Sequence, residues 1–259
     1  MKRKTAFLLS LLLTQVCLAS EKEVQLQFQV TAWAQKYAGD FKISAFDIRP
    51  IDVVSDLGYG SQTNRLISFG IVHNVSALPQ FKIRDSSIDA KQTSLVPSDF
   101  TFGGLAFLFS LGDSIKSSIH FDHQDISLYY NIGKTKPFMS LGATLRKFDG
   151  RLTIEGIDGF LRGRELKSTF REWVPLIYGR VYNDLRVSNL SNTFELHYGR
   201  LQGNQMIDFS VMFEFDLKYN LGIDAGFRYL TLDIANFGGI STDITVSGPL
   251  LSMNYKVDI

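Results

Sequence analysis

The chain has 259 residues, of which 45% are hydrophobic and 13% aromatic, and its 27 Lys and Arg balance 26 Asp and Glu. This near-neutral charge gives no electrostatic basis for nucleic-acid binding, so we expect no nucleic-acid partner. The 21 Phe, 21 Gly and only six Pro do not fit a disordered chain.

The N-terminus has the organisation of a secretory signal peptide. Residues 2–4 (Lys-Arg-Lys) form a positive start, residues 6–13 (AFLLSLLL) an apolar core, and residues 17–19 (Cys-Leu-Ala) precede a cleavage site. An uncleaved anchor is an alternative, but the apolar run is too short to span a bilayer. Lipoprotein processing at Cys17 is a second alternative, which the residues before it fit poorly. We therefore predict a signal peptide at residues 1–19.

The predicted mature domain, residues 20–259, lacks both thiols and apolar helices. Its sequence contains no cysteine, so a disulfide, a thiol nucleophile and a thiolate metal site are excluded. No apolar run in it approaches 18 residues, which argues against a transmembrane helix. A closed barrel, which pairs every strand, would hold such a chain together by its own hydrogen bonds.

Alternating apolar and polar residues predict about ten strands. A period of two places one residue class on each face of a strand. The pattern recurs in ten segments: 24–35, 66–73, 81–87, 118–132, 137–148, 173–185, 194–202, 206–219, 221–233 and 243–257. Eight or twelve strands stay open, because segments 37–46 and 149–157 could extend strands or add hairpins.

The clearest alternation lies in residues 206–219. Its even positions are polar or charged except Met212, and its odd positions form an apolar face that we predict to meet lipid: Ile207, Phe209, Val211, Phe213, Phe215 and Leu217. Lipid outside a barrel and water inside it would suit two such faces. A soluble, lipocalin-like periplasmic barrel, with the apolar faces turned inward, is the alternative.

The connections between the segments alternate in length. Short ones fall at 74–80, 132–137, 184–192 and 218–221, and longer ones at 37–65, 90–116 and 149–167. Two exceptions, around 203–204 and 234–241, are shorter but lie on the side of the long connections. Outer-membrane barrels have short periplasmic turns and longer outer loops. We therefore predict an all-β, antiparallel up-and-down transmembrane barrel in the bacterial outer membrane, reached by signal-peptide-dependent export.

The last segment changes the parity of its apolar residues. Ile244 and Val246 occupy even positions, whereas Leu251 occupies an odd one. A β-bulge at Gly248 and Pro249 would account for the change.

Charged residues on the opposite parity are predicted to face the lumen. They are Lys82, Arg84, Arg146, Arg180, Glu195, Asp208, Glu214, Asp216, Lys218, Asp224 and Arg228. They could line a small ion-selective path, or interlock as ion pairs that plug the lumen. The narrow bore of a ten-stranded barrel favours the plug.

Residues 120–125 (His-Phe-Asp-His-Gln-Asp) are the one cluster that could be catalytic. A His–Asp pair near the outer rim can activate water or serine, which would make the protein a lipid or peptide hydrolase. Alternation, however, puts His120 and Asp122 on one face and His123 and Asp125 on the other. A polar strand top above the membrane is therefore the favoured interpretation, and the same split argues against a metal site.

Several short motifs resemble the small proteobacterial outer-membrane β-barrel proteins labelled the GlyGly family. The motifs are IDVVSDLG at 51–58, LYYNI at 128–132, FDG at 148–150, VPLIYGRVYNDL at 174–185 and SGPLL at 247–251. The resemblance implies an outer-membrane barrel of uncharacterised function and supplies no catalytic residues. The chain departs from such barrels at its end, where Ile259 stands in place of the usual Phe.

Together these patterns favour a structural or surface-interaction protein over an enzyme, with at most a narrow, porin-like pore. We predict no cofactor and no metal. The expected partners are outer-membrane lipid and, during insertion, the outer-membrane assembly machinery, and we expect a monomer.

Overall fold

A computed structural model describes most of the chain after the predicted signal peptide, which lies outside the described residues. These are residues 24–43, 46–104, 107–133, 138–185, 189–201, 203–237 and 240–259. Within these ranges no helix is long and apolar enough to cross a membrane.

The described residues form fourteen strands. In chain order they are β1 (Val24–Lys42), β2 (Ile51–Asp52), β3 (Gln62–His73), β4 (Gln80–Ser86), β5 (Asp89–Leu95), β6 (Phe100–Thr101), β7 (Leu108–Phe109), β8 (Ser114–Ile132), β9 (Phe138–Gly156), β10 (Glu165–Asp184), β11 (Leu190–Leu201), β12 (Asn204–Asp216), β13 (Leu221–Phe237) and β14 (Ile240–Asp258).

The main sheet closes on itself because β1 pairs with β3 on one side and with β14 on the other, both antiparallel. β4 and β5 follow one another along β8 and share one position in the ring, while β2 pairs only with the end of β1. The short β6–β7 hairpin stands apart. The chain is a closed, antiparallel ten-stranded barrel. The predicted fold class is thus confirmed.

Both described ends of the chain lie at one end of the barrel, which we call the terminal end. There Val24 and Ile259 exchange backbone hydrogen bonds, and a tight turn links β12 to β13. The opposite end, which we call the loop end, carries the longer connections 43–61 and 96–113. Segments 37–42 and 149–156, which the sequence left open as extensions or hairpins, extend β1 and β9.

The strands β8, β9 and β14 have 19 residues each and β10 has 20. At about 3.3 Å per residue and a tilt of about 40°, such strands give a barrel about 45–50 Å tall. The apolar band of an outer-membrane barrel is about 25 Å tall. Roughly half of each long strand would therefore extend beyond such a band, where its outward face would meet water instead of lipid.

The side-chain pattern reverses halfway along β8 and β9. Near the terminal end the outward face is apolar, and we call this band the apolar belt; on these strands it includes Ile126, Leu128, Tyr130, Leu141 and Leu145. Toward the loop end the outward face becomes polar, and we call this band the polar collar: Lys116, Ser118, His120, Asp122, Gln124, Lys147, Asp149, Arg151, Thr153 and Glu155.

The inward face changes in the opposite sense at the same level. Near the terminal end it carries Asp125, Ser127, Thr144 and Arg146, all buried. Toward the loop end it carries buried apolar side chains of β8 and β9: Ile115, Ile119, Phe121, Phe148, Leu152 and Ile154. One half of the barrel is therefore apolar outside and polar inside, and the other half has the arrangement of a water-soluble barrel.

The loop end is closed by a hydrophobic cluster that we call the apolar seal. It joins the inward faces of the long strands to connections 43–61 and 96–113, and its largest members include Trp33, Phe41, Ile51, Leu57, Phe100, Phe109, Ile119, Phe121, Leu152 and Ile154. An apolar plug of this kind holds the loops on the barrel through the burial of apolar surface.

The predicted β-bulge at Gly248 and Pro249 is wrong. The apolar residues change parity there because the strand passes from the apolar seal, on its inward face, to the apolar belt, on its outward face. The register between β13 and β14 runs unbroken through both residues. Toward β1 two pairs are missing there, because Pro249 has no N–H to donate, but the offset is the same on either side. Even-numbered residues face inward along the whole strand, so Ile244 and Val246 lie in the seal and Leu251 in the apolar belt.

Candidate functional site: the charged lumen

Five charged side chains meet in the middle of the lumen, and we call them the charge layer: Arg84, Asp125, Arg146, Asp208 and Arg228. All five are buried. They come from β4, β8, β9, β12 and β13, and they lie where the outward face changes from apolar belt to polar collar. The ladder places Asp125 directly opposite both Arg84 and Arg146 on its neighbouring strands.

The two carboxylates of the charge layer are saturated by guanidinium groups. Asp208 accepts hydrogen bonds from Arg84 at 3.0 Å, from Arg146 at 2.5 Å and from Nε and Nη2 of Arg228 at 2.8 and 2.7 Å. Asp125 accepts from Arg84 and, in bidentate fashion, from Arg146 at 2.6 and 2.8 Å. Charge-assisted bonds of this kind are short and directional, so the layer fixes the facing strands against one another.

Aromatic rings and a histidine complete the layer. The Arg228 guanidinium lies 4.5 Å from the centre of the Trp33 ring, and it donates to His123 Nε2 at 2.9 Å. Because a guanidinium can only donate, Nε2 is the acceptor and the imidazole proton is on Nδ1. Among the described residues His123 Nδ1 has no hydrogen-bond partner.

His123, Asp125 and Asp208 present ligand atoms close enough together to hold a metal ion. The chemistry of the site does not fit one. Every carboxylate oxygen already accepts from at least one guanidinium, and a dication would lie beside three arginines. The repulsion would exceed the gain from two carboxylates in a poorly solvated space.

Below the charge layer, Glu195 gathers a second set of donors. Its two oxygens accept from Lys82 at 2.6 Å, Arg84 at 3.0 Å and the Tyr178 hydroxyl at 3.0 Å. His197 Nε2 lies 3.1 Å from the same carboxylate. Arg84 thus links Glu195 to the charge layer.

A polar cavity of about 120 Å³ lies between Glu195 and the terminal end, and we call it the vestibule. Its walls include Lys82 and Arg84 on β4, Arg180 on β10 and Arg228 on β13, together with Glu214 on β12 and Asp224 on β13. The charge layer and the apolar seal close it toward the loop end. The described lumen is therefore a blind space.

The remaining predicted lumen charges lie lower. Asp224 is buried and accepts from Gln29 and Asn254, while Glu214 and Asp216 pair with Lys256. Lys218 does not reach the lumen, which corrects its predicted position. β12 ends at Asp216, and Lys218 is exposed in a turn whose next two residues have positive φ.

The predicted lipid-facing residues of 206–219 lie on the outside of the barrel. Phe209, Phe213, Phe215 and Leu217 are exposed by 38–48% of their surface. Ile207 and Val211 are outward but partly covered by neighbours. These side chains belong to the apolar belt.

The structure splits the candidate catalytic cluster by face. His123 and Asp125 point into the lumen and belong to the layer described above. His120 and Asp122 point outward in the polar collar, with His120 Nε2 3.3 Å from Asp122 Oδ2. The nearby Ser87 hydroxyl donates to Asp122 at 3.0 Å and not to the imidazole. Among the described residues, therefore, no hydroxyl is hydrogen-bonded to His120 as a nucleophile would be.

Ion pairs also order the outer surface and the loops. In the polar collar, the hydrogen bond from Arg171 holds the pKa of Asp149 below its usual value. In connection 43–61, Arg49 binds Asp56 through two hydrogen bonds of 2.5 and 2.8 Å and lies over Phe100, while Asp47 accepts from Gly104. These contacts tie the two long connections together across the loop end.

Comparison with models of known protein families finds no match, and comparison with curated protein sequences finds none either. The resemblance to the GlyGly-labelled family therefore stays a prediction. Solved structures that are similar include the outer membrane protease OmpT of Escherichia coli, with a TM-score of 0.47, 7% identity, and coverage of 91% of this chain and 97% of that one.

Two further similar structures are bacterial proteins. The translocator domain of autotransporter NalP from Neisseria meningitidis has a TM-score of 0.43 and 12% identity, covering 98% of this chain and 96% of that one. The attachment invasion locus protein Ail of Yersinia pestis, solved with the heparin analogue sucrose octasulfate, has a TM-score of 0.36 and 11% identity, covering 92% and 100%. At these levels the likeness adds nothing to the fold already described.

Sequence reasoning missed three contributors to the lumen. Trp33 breaks the alternation of its strand, a signal of its inward position. His197 and Tyr178 lie on the predicted polar faces of β11 and β10, but their partners could not be read from their spacing. The reversal of the two faces was detectable on β9, where the apolar residues move from odd positions up to Leu145 to even positions at Phe148, Leu152 and Ile154.

Proposed function

We propose that the protein is an integral outer-membrane barrel with a closed lumen, acting as a structural or surface-interaction protein rather than as an enzyme. The observation that carries this proposal is the reversal of both faces at one level of the barrel. The apolar belt suits lipid, and the polar collar suits water beyond the membrane. The terminal end would then face the periplasm.

The reversal also weighs against the lipocalin-like alternative. In such a protein the belt residues would line a cavity, whereas here Leu128 and Leu141 point outward and are each 48% exposed. The inner face at that level holds buried ion pairs. An apolar ligand would meet carboxylates and guanidinium groups there.

The closed lumen favours a plug over an ion path. The charge layer and the apolar seal lie one above the other, so the lumen would stay blocked by the second if only one of them opened. The water-exposed surface of the barrel would then consist of the polar collar and its connections, and a partner would bind there. Exposed apolar side chains on those connections, such as Leu111 and Phe160, are available to such a partner.

Membrane fractionation and conductance test this proposal. The full chain should sediment with outer membranes, resist carbonate extraction and show a heat-modifiable gel shift. In a planar bilayer the purified protein should show no steady ion conductance. Release by carbonate without detergent would favour the soluble barrel, and steady conductance would contradict the closed lumen.

A further inference from the structure

The vestibule contains a positive charge that the described side chains do not balance. The charge layer and the vestibule wall together hold six cations, Lys82, Arg84, Arg146, Arg180, Arg228 and Lys256, and five carboxylates, Asp125, Glu195, Asp208, Glu214 and Asp224. Six against five leaves one positive charge in excess. An excess of this kind attracts an anion.

Arg180 is the cation without an ion pair. Lys82, Arg84, Arg146 and Arg228 each form at least one with a buried carboxylate. Arg180 lies directly opposite Glu195 in the β10–β11 ladder, yet among the described residues no carboxylate forms an ion pair with it. The oxygens of Glu195 are already occupied by its other donors.

The Arg180 guanidinium is also short of hydrogen-bond acceptors. Its Nε is buried and has no partner within the described part of the chain. The groups that act on its charge are the phenols of Tyr129 and Tyr178 and, without forming an ion pair with it, the carboxylates of Glu195 and Glu214. Its guanidinium carbon lies 5.9 Å from the centre of the Tyr182 ring. A buried donor without an acceptor costs free energy, and a charged one costs more.

We propose that the vestibule binds a small oxyanion, such as phosphate, sulfate or a carboxylate, at Arg180. A guanidinium presents paired N–H groups that match two oxygens of such an anion, and the nearby Lys82 adds a second positive charge. Glu214 and Asp224 also line the vestibule and would repel an extended polyanion, which favours a small ligand.

The route to this site follows from the closed loop end. The lining residues Gln27, Lys82, Glu214 and Lys256 are only partly buried, so the vestibule meets solvent toward the terminal end. If the protein has the proposed orientation, the anion comes from the periplasm. The inference rests on the proposed function only for this compartment, and not for the binding itself.

Calorimetric titration of the purified full chain in detergent tests the site. Sodium phosphate, sulfate and acetate would be titrated against sodium chloride at constant ionic strength. We expect saturable binding of at least one oxyanion. Tighter binding of phosphate or sulfate would indicate a preference for tetrahedral anions, and tighter binding of acetate a preference for planar carboxylates. Arg180→Gln should weaken that binding at least tenfold.

The matched control is Arg171→Gln, on the same strand but outward in the polar collar, with its side chain 66% exposed. It should bind like the wild type. Folding of each variant is checked by its heat-modifiable gel shift; if Arg180→Gln does not fold, Arg180→Lys replaces it and should still weaken binding, because an ammonium lacks the paired donors.

The proposal is overturned if the wild type shows no saturable oxyanion binding, or if the folded Arg180 variant binds as tightly as the wild type. Both measurements are made in detergent. They therefore stand apart from membrane fractionation, and either proposal can fail without the other.

Discussion

Asp208 is the residue on which the lumen depends most. It is 1% exposed, and three arginines from three different strands donate to it. Paired charges in a poorly solvated space stabilise little beyond an apolar core, but removal of one partner leaves the others uncompensated. We therefore expect loss of this carboxylate to destabilise the barrel mainly because it leaves buried guanidinium groups without their counter-charge.

Asp208→Ala should lower the free energy of unfolding by about 3–5 kcal/mol, because it removes the carboxylate partner of buried Arg228 and leaves Arg84 and Arg146 with Asp125 and Glu195 alone. Urea unfolding in lipid vesicles measures the change. The control is Asp149→Ala, which removes an exposed pair with Arg171 and should cost less than about 1 kcal/mol. Equal effects of the two substitutions would show that the charge layer does not bear on stability.

At the scale of single elements, β9 shows how one strand serves two environments. Its outward face runs from Met139, Leu141 and Leu145 to charged residues, while its inward face runs from Thr144 and Arg146 to apolar ones. The strand period is two throughout. Only the chemistry of each face changes, and it changes between residues 145 and 148.

Leu152→Ala should therefore destabilise the barrel by about 2–5 kcal/mol, the cost of a buried leucine that leaves a cavity. Leu152 lies inward in the apolar seal, whereas its neighbour Thr153 lies outward in the polar collar. Thr153→Ala is the control and should change the unfolding free energy by less than about 0.5 kcal/mol. If Thr153→Ala lowered the unfolding free energy more than Leu152→Ala, Thr153 and not Leu152 would face inward in this half of β9.

At the scale of the whole molecule, the level at which the faces reverse sets where the proposed outer-membrane barrel would lie relative to a bilayer. On β8 this level lies between Gln124 and Ile126, and on β9 between Leu145 and Lys147. The ladder aligns Lys147 with the exposed Trp173 of β10, and interfacial tryptophans favour this depth. The charge layer lies at the same height inside.

Leu128→Arg and Ser118→Arg, both outward on β8, test that position. In lipid, Leu128→Arg should cost about 2–4 kcal/mol, since it places a cation in the apolar belt, while Ser118→Arg in the collar should cost about 0–1 kcal/mol. The two are compared by denaturant unfolding in vesicles. Similar costs for both would contradict the proposed membrane level.

Much of the fold could be predicted from the sequence because strand alternation is local. The ten segments read from residues 24 to 257 correspond to the ten ring positions, and parity alone directed Arg84, Arg146 and Arg228 inward. The partners could not be predicted, since Arg84 and Asp208 are 124 positions apart and meet only across the closed lumen. The unbalanced charge of Arg180 likewise depends on which carboxylates its neighbours already occupy.

The sequence by itself determined that this chain forms two-faced strands, and that most of its central charges share one face. The tertiary structure decided which medium each face meets along the height of the barrel. An alternating run such as Phe148 to Ile154 is the same whether its apolar side meets lipid or a core. Closure of the ring distinguishes these cases, because it places each face either inside or outside.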